Sequence, residues 1–329
     1  MVASLPLDLL VLVLSFCSGD DMNILPPLSV VDHAIYQSSH TQRKRISALK
    51  NPPFNIARPS LAKNLKLYSD SMMVFVHACE SGVFLPTLRD LDIRGFIGDA
   101  KMTELFRTIA TGSMGELEVL SLDGNDISDP CMIAFSNAIR NGSMGSLQEL
   151  WLGGNAIGDA GMIAFADALK SPIGSKVNLK EIDLCSNNIS DAGMISLSDA
   201  IGKGSLRSLT SLRFDDNKIS DPGVIAFAEA LKSPMGSMGK LDYLQLDGNK
   251  IGDEGMVAFS AAISSGSLAS LTSLVVNDKE HPQLKAACHQ RAGISVASGC
   301  IRVRRCRGCE TCPLWIPDQW SGLVGSGRV

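Results

Sequence analysis

Leu117-Glu-Val-Leu-Ser-Leu-Asp-Gly-Asn125 recurs four more times without a gap: Leu147-Gln-Glu-Leu-Trp-Leu-Gly-Gly-Asn155, Leu179-Lys-Glu-Ile-Asp-Leu-Cys-Ser-Asn187, Leu209-Thr-Ser-Leu-Arg-Phe-Asp-Asp-Asn217 and Leu241-Asp-Tyr-Leu-Gln-Leu-Asp-Gly-Asn249. Each copy reads L-x-x-L-x-L-x-x-N, with Ile182 and Phe214 as the only exchanges at the apolar positions. The asparagines stand 30, 32, 30 and 32 residues apart. Leu88–Ile93 is a sixth copy without the Asn, and Leu271–Val276 is a truncated seventh. A fixed internal period of this size marks a stacked repeat architecture.

A second motif follows each Asn: Ile127-Ser-Asp-Pro, Ile157-Gly-Asp-Ala, Ile189-Ser-Asp-Ala, Ile219-Ser-Asp-Pro and Ile251-Gly-Asp-Glu. It leads into a helical pattern, in which Met162, Phe165, Ala166 and Leu169 share one face at i, i+3, i+4 and i+7. The recurring Asp99, Asp129, Asp159, Asp191, Asp221 and Asp253 are expected at the N-cap of that helix, with a carboxylate facing its free amides. Pro130 and Pro222 follow, where a missing N–H costs nothing. Gly/Ser runs such as Asn141-Gly-Ser-Met-Gly145 end the helix. One short strand plus one helix cannot bury enough surface alone, so neighbouring units must stack. The column Asn125, Asn155, Asn187, Asn217 and Asn249 is expected to be structural, pairing backbone groups where the chain leaves each strand.

These motifs resemble the leucine-rich-repeat family, and the helical return segments are similar to its ribonuclease-inhibitor-like branch. The resemblance implies an α/β solenoid, a horseshoe with a parallel β-sheet on the concave face and helices on the convex face. It covers residues 88 to about 290. The period of 30–32 exceeds the usual 20–29 residues, with the excess in the Gly/Ser turns. Residues 51–87 read as a linker and a degenerate capping repeat, since Ser69–Glu80 aligns with Asp159–Lys170.

In such a solenoid the residues alternating with the inward leucines face outward, and family members hold other proteins there. That places Asp90, Asp92, Asp123, Glu149, Trp151, Glu181, Asp183, Arg213, Asp215, Tyr243 and Asp247 on an exposed partner-binding face, with Arg94 at its first edge. Eight of these are acids and two, Arg94 and Arg213, are bases, which favours a protein partner with a basic surface. Trp151 and Tyr243 are dispensable to the repeat and are typical interface anchors. The alternative is a solvated polar sheet with two incidental aromatics.

The rest of the chain constrains function mostly by what it lacks. A net charge of −4 argues against a nucleic-acid binder, and none of the five histidines lies between Asp99 and Val275. No nucleophile–base set, phosphate loop or distinct carboxylate pair stands out, so neither catalysis nor a cofactor is expected. Intracellular repeats of this kind also resemble Ran GTPase-activating proteins, for which Arg94 is the one arginine to nominate. The apolar run Leu5–Cys17 has no preceding Lys or Arg and is interrupted by Asp8, so it reads as neither signal peptide nor membrane span. The expectation is an intracellular, cytoplasmic protein with no membrane partner.

Residues 1–50 form either a helical cap over the solenoid edge or a degenerate F-box-like segment. The F-box resemblance rests on Leu5, Pro6, Leu9, Leu10, Leu14 and Phe16, and implies docking on a ubiquitin-ligase adaptor through residues 5–49 with the repeats choosing the substrate. Tyr36 stands near where that family has a tryptophan, and Pro26-Pro27 interrupts the second helix. Residues 291–329 are a Cys/Arg-rich segment read as a flexible tail. Cys300, Cys306, Cys309 and Cys312 are weak zinc candidates beside the readings of free thiols and adventitious disulfides. Arg302, Arg304, Arg305 and Arg307 could face the acidic strands of this copy or another.

Overall fold

The computed structural model describes residues 64–68, 88–110, 112, 114–276, 282–290 and 294–298. The F-box-like segment, the Ser69–Glu80 alignment and the four clustered cysteines lie outside them. Among the described residues the strands are β1 (Asn64–Tyr68), β2 (Asp90–Arg94), β3 (Val119–Ser121), β4 (Glu149–Trp151), β5 (Glu181–Asp183), β6 (Ser211–Arg213), β7 (Tyr243–Gln245), β8 (Ser273–Val276) and β9 (Ser295–Ser298). They form one nine-stranded sheet in sequence order. Every pairing is parallel and shifted by one repeat, so Leu120, Leu150, Ile182, Leu212 and Leu244 lie side by side. The chain is a leucine-rich-repeat solenoid. Its sheet includes β1, in the stretch read as a linker and degenerate capping repeat, and β9, in the stretch read as tail.

The helices are α1 (Asp99–Ile109), α2 (Asp129–Arg140), α3 (Asp159–Lys170), α4 (Asp191–Gly202), α5 (Asp221–Lys232), α6 (Asp253–Ser265) and α7 (Pro282–Gln290). Their apolar faces and the inward leucines make one continuous core. Phe106, Phe135 and Phe165 stack through it with ring centroids 5.0 and 6.0 Å apart. The two 32-residue units place their extra residues after α3 and α5, in matching Ser-Pro turns. There Gly174 and Gly236 are obligatory: a Cβ would sit 1.9 Å from the Ala168 carbonyl oxygen and 1.8 Å from that of Ala230.

The asparagine column works backwards along the solenoid. Asn187 Nδ2 donates to the carbonyls of Leu184 and Cys185 in its own turn, and to Leu152 O of the preceding repeat at 2.9 Å. Its Oδ1 accepts the Ile157 N–H of that preceding repeat at 3.0 Å. Asn155, Asn217 and Asn249 do the same one unit away. The residue before each Asn is left-handed; Ser186 and Asp216 accept φ of 51° and 53° where other copies use glycine. Phe96 takes the Asn position in the sixth copy, at φ 54° and exposed.

The recurring Asp is a correction to the sequence reading. It is the first helical residue, and the N-cap is the preceding Gly98, Ser128, Gly158, Ser190, Ser220 or Gly252, none of which bonds its own helix through a side chain. The carboxylate instead caps the next helix. Asp159 Oδ1 accepts the N–H groups of Ser190 and Gly193 at 2.8 and 2.9 Å, and its Oδ2 accepts the Ser190 hydroxyl. Asp129, Asp191 and Asp221 make the equivalent bonds to the amides of α3, α5 and α6. Stacked helices bring the N-terminus of one unit beside the first turn of the next, and unpaired amides there attract a carboxylate. Burial pushes the Asp159 carboxyl up, but the Ser190 hydroxyl and the two amides, with Lys218 nearby, hold it below the ordinary value.

This ladder explains the repeated glycine at the third helical position. A Cβ on Gly193 would lie 2.7 Å from Asp159 Oδ1 and 3.1 Å from the Met162 Cβ. Gly193→Ala is therefore expected to cost about 1–3 kcal/mol. Asn187→Ala, which strands several backbone groups of two repeats, should cost at least about 2 kcal/mol. Gly145→Ala, with only an ordinary 3.6 Å contact, should stay within about 0.5 kcal/mol. Urea denaturation followed by circular dichroism checks all three; equal midpoints for Gly193→Ala and Gly145→Ala would remove the ladder's role.

Candidate functional site

Short strands pleat their side chains alternately into the core and onto the concave face. One-repeat register then lines equivalent residues into columns across the sheet. The first column, Asp90, Val119, Glu149, Glu181, Ser211 and Tyr243, is half-buried. The second, Asp92, Ser121, Trp151, Asp183, Arg213 and Gln245, and the third, Asp123, Gly153, Cys185, Asp215 and Asp247, are buried. The expectation that all of them face solvent is thus corrected: Trp151 is only 7% exposed and Asp183 and Asp215 are 2% exposed. Adjacent parallel strands run about 4.8 Å apart, so long side chains lie across shorter neighbours and bind them.

Arg213 shows how. Its Nη1 donates to Asp183 Oδ2 at 2.6 Å, its Nη2 to Asp215 Oδ2 at 3.4 Å and its Nε to Gln245 Oε1 at 3.1 Å. Gln245 also accepts the Tyr243 hydroxyl at 2.7 Å and donates to Asp247 Oδ1 at 2.9 Å. At the other end, Arg94 holds the Asp92 carboxylate from its own strand, with Lys66 of β1 at 3.6 Å. Arg94 is thus engaged with a strand-mate's carboxylate. Between these clusters Asp123 Oδ1 accepts the Gly153 N–H at 2.7 Å, and Asp183 Oδ1 accepts the Cys185 N–H at 2.9 Å. Any side chain at 153 would strike Cys185 Sγ, 2.7 Å from an added Cβ. Trp151 Nε1 donates to Glu149 Oε2 at 3.3 Å.

A cleft opens in this surface. It measures about 260 Å3 and lies between Trp151 of β4 and Tyr243 of β7, with Glu181, Ile182, Asp183, Ser211 and Arg213 beneath and beside it. Thr210 and Asp242 complete its lining. Ser211 is the short first-column member beside Tyr243, and its small side chain leaves the hollow. Trp151, Glu181, Asp183, Arg213 and Tyr243 therefore come together, whereas Asp90 and Asp92 lie on β2, and Asp123, bonded to Gly153, is not part of the lining. Thr210 and Asp242 were not singled out from the sequence. They precede their strands by one residue, outside the alternation, and only the chain's entry into β6 and β7 turns them toward the cleft.

The family model "Leucine Rich repeat" matches residues 146–166, 175–198, 205–228 and 240–260. Over those residues the chain carries leucine-rich repeats. Solved structures similar to it include an internalin from Listeria monocytogenes, at 20% identity and a TM-score of 0.40, over 66% of this chain and 55% of that one. The leiomodin-1 actin-binding site 2 is similar at 13% identity and a TM-score of 0.36, over 57% of this chain and 84% of that one. The chain thus spans about half the length of the internalin chain. A comparison with curated protein sequences returns no match.

The concave face of the solenoid carries more carboxylates than its two arginines neutralise. Burial pushes the Asp215 carboxyl up to about 7; Arg213 opposes the rise, while Asp183 and Asp247 add to it. Burial likewise raises the Tyr243 hydroxyl to about 12, so it stays a donor to Gln245 at all physiological pH. Cys131, Cys185 and Cys288 are buried cysteines. Burial is the larger cause that raises the Cys131 thiol, and the Asp99 carboxylate adds to it. Among the described residues no helix is long and apolar enough to cross a membrane.

Asp215 leaves a pH signature. An aspartate whose folded pKa lies above its unfolded value keeps its proton in the folded chain after the unfolded chain has lost it. Its contribution to stability therefore falls as pH rises from about 4 toward about 7, and the loss is complete above that. Asp215→Asn should flatten the fall in urea midpoint between pH 5 and pH 8 relative to the parent protein. Parallel falls in both would show that Asp215 titrates normally.

Proposed function

We propose that this protein is a non-enzymatic interaction module that holds a basic protein partner on its concave strand face. The observation that carries the reading is the cleft between Trp151 and Tyr243, rimmed by Glu181 and Asp242 and floored by Asp183. Arg213, the cation that lines it, is committed to Asp183 and Asp215. A buried aromatic beside partly exposed acids is the arrangement of an interface anchor with an electrostatic rim. The buried acids Asp92, Asp123 and Asp247 contribute through the field they add to this face rather than by touching the partner. The same reading takes the repeats as ribonuclease-inhibitor-like, which the helical return segments support, and takes the cytoplasm as the site of action.

The F-box resemblance of residues 5–49 makes a second reading, in which the same face selects substrates for a ubiquitin ligase. An affinity pull-down from native extract, with full-length chain and a chain lacking residues 1–50, separates the two. Ligase components retrieved only by the full-length chain favour the substrate receptor; identical partners without ligase favour the plain binding module. For any partner retrieved through the repeats, Tyr243→Ala should weaken binding at least tenfold. Raising salt from 50 to 500 mM should weaken it further, by screening the acidic rim. Binding unaffected by either change would move the site off the concave face.

A further inference from the structure

We infer that the cleft between Trp151 and Tyr243 accepts a single arginine side chain from the partner. The inference rests on the basic-partner reading and narrows it to one group and one place. At about 260 Å3, the cleft is below the roughly 300–1,000 Å3 of pockets that enclose whole small molecules, and of a size for one protein side chain. Its two ends are aromatic. Tyr243 is fixed by its hydroxyl's bond to Gln245, and Trp151 by its indole N–H to Glu149.

The charge of the lining selects a cation. Glu181, Asp183 and Asp242 stand against Arg213 alone. That guanidinium points three nitrogens at Asp183, Asp215 and Gln245, so it is spent within the sheet rather than offered to an anion. Asp247 lies just beyond it and deepens the negative field.

Shape and chemistry separate arginine from lysine. A guanidinium is flat, stacks on aromatic faces and donates in a fork to carboxylates at its edge. Tyr243 supplies a face at one end, while Glu181 and Asp242, whose carboxylate also accepts the Thr272 hydroxyl, lie at the rim to receive the fork. An ammonium is a compact, strongly hydrated point charge and would have to shed more water to enter the same space.

The test uses the full chain with Trp315→Phe and Trp320→Phe, which leaves Trp151 as its sole indole. Indole emission is followed during titration with three nine-residue peptides alternating Gly with Arg, Lys or citrulline. The arginine peptide is expected to change Trp151 emission and to bind at least fivefold more tightly than the lysine peptide, with no effect from citrulline. Glu181→Gln with Asp242→Asn, a pair outside the buried floor, should weaken the arginine peptide at least tenfold without moving the urea midpoint. Equal affinity for arginine and lysine peptides overturns the inference and leaves the basic-partner reading standing. Binding of neither cationic peptide overturns both. Binding that emerges only when Arg302, Arg304, Arg305 and Arg307 are all changed to Ala gives the cleft to the chain's own C-terminal segment and overturns a partner arginine.

Discussion

No repeat in this protein can satisfy its own backbone. The turn after each strand and the first turn of each helix leave amides and carbonyls that only the neighbouring unit reaches. Two ladders close these gaps in opposite directions. Asn217 reaches back to the Ile189 amide and the Leu184 carbonyl. Asp191 reaches forward to the Ser220 and Gly223 amides. Each unit is thus completed from both sides, and a buried polar group left without its partner is costly. Stability in such an array is cooperative between neighbours rather than resident in any one unit.

That reciprocity explains which parts of the repeat vary. Strand, Asn turn and helix start must hold their atoms at the same height in every unit, because three sets of bonds cross there. The turn after the helix is tied to its neighbours by scattered hydroxyl bonds, such as Ser143 to the Ala110 carbonyl and Ser233 to that of Gly202, and it is where the period changes between 30 and 32 residues. Where the ladder lacks a member the substitution shows: at the third helical position of α2, Cys131 replaces glycine, and Asp99 bonds only the Ser128 amide and hydroxyl there.

The same stacking builds the candidate binding face. One-repeat register sets Trp151, Asp183, Arg213 and Gln245 in a row, so a variable position in each repeat becomes part of one surface. The row ties up its own charges, Arg213 among carboxylates and Arg94 on Asp92. What remains toward the outside is acidic and, at one place, hollow. A face organised in this way holds its aromatic and acidic groups in fixed positions before any partner arrives, which lowers the ordering cost of binding.

The period, the inward leucines and the helical faces were legible in the amino-acid sequence, because burial of a repeated apolar pattern admits few arrangements. The structural asparagine column was legible for the same reason. The target of each Asp was not: a carboxylate at a helix start satisfies its own helix or the next equally well as a pattern, and only the stacking geometry decides. Exposure of the concave residues was likewise undetermined. Alternation tells which face a side chain takes, but Asp183 is covered because Arg213, thirty residues later, lies across it. The cleft belongs wholly to the tertiary structure, since it exists only where a short Ser211 falls between strands that carry a tryptophan and a tyrosine, a coincidence that register alone creates.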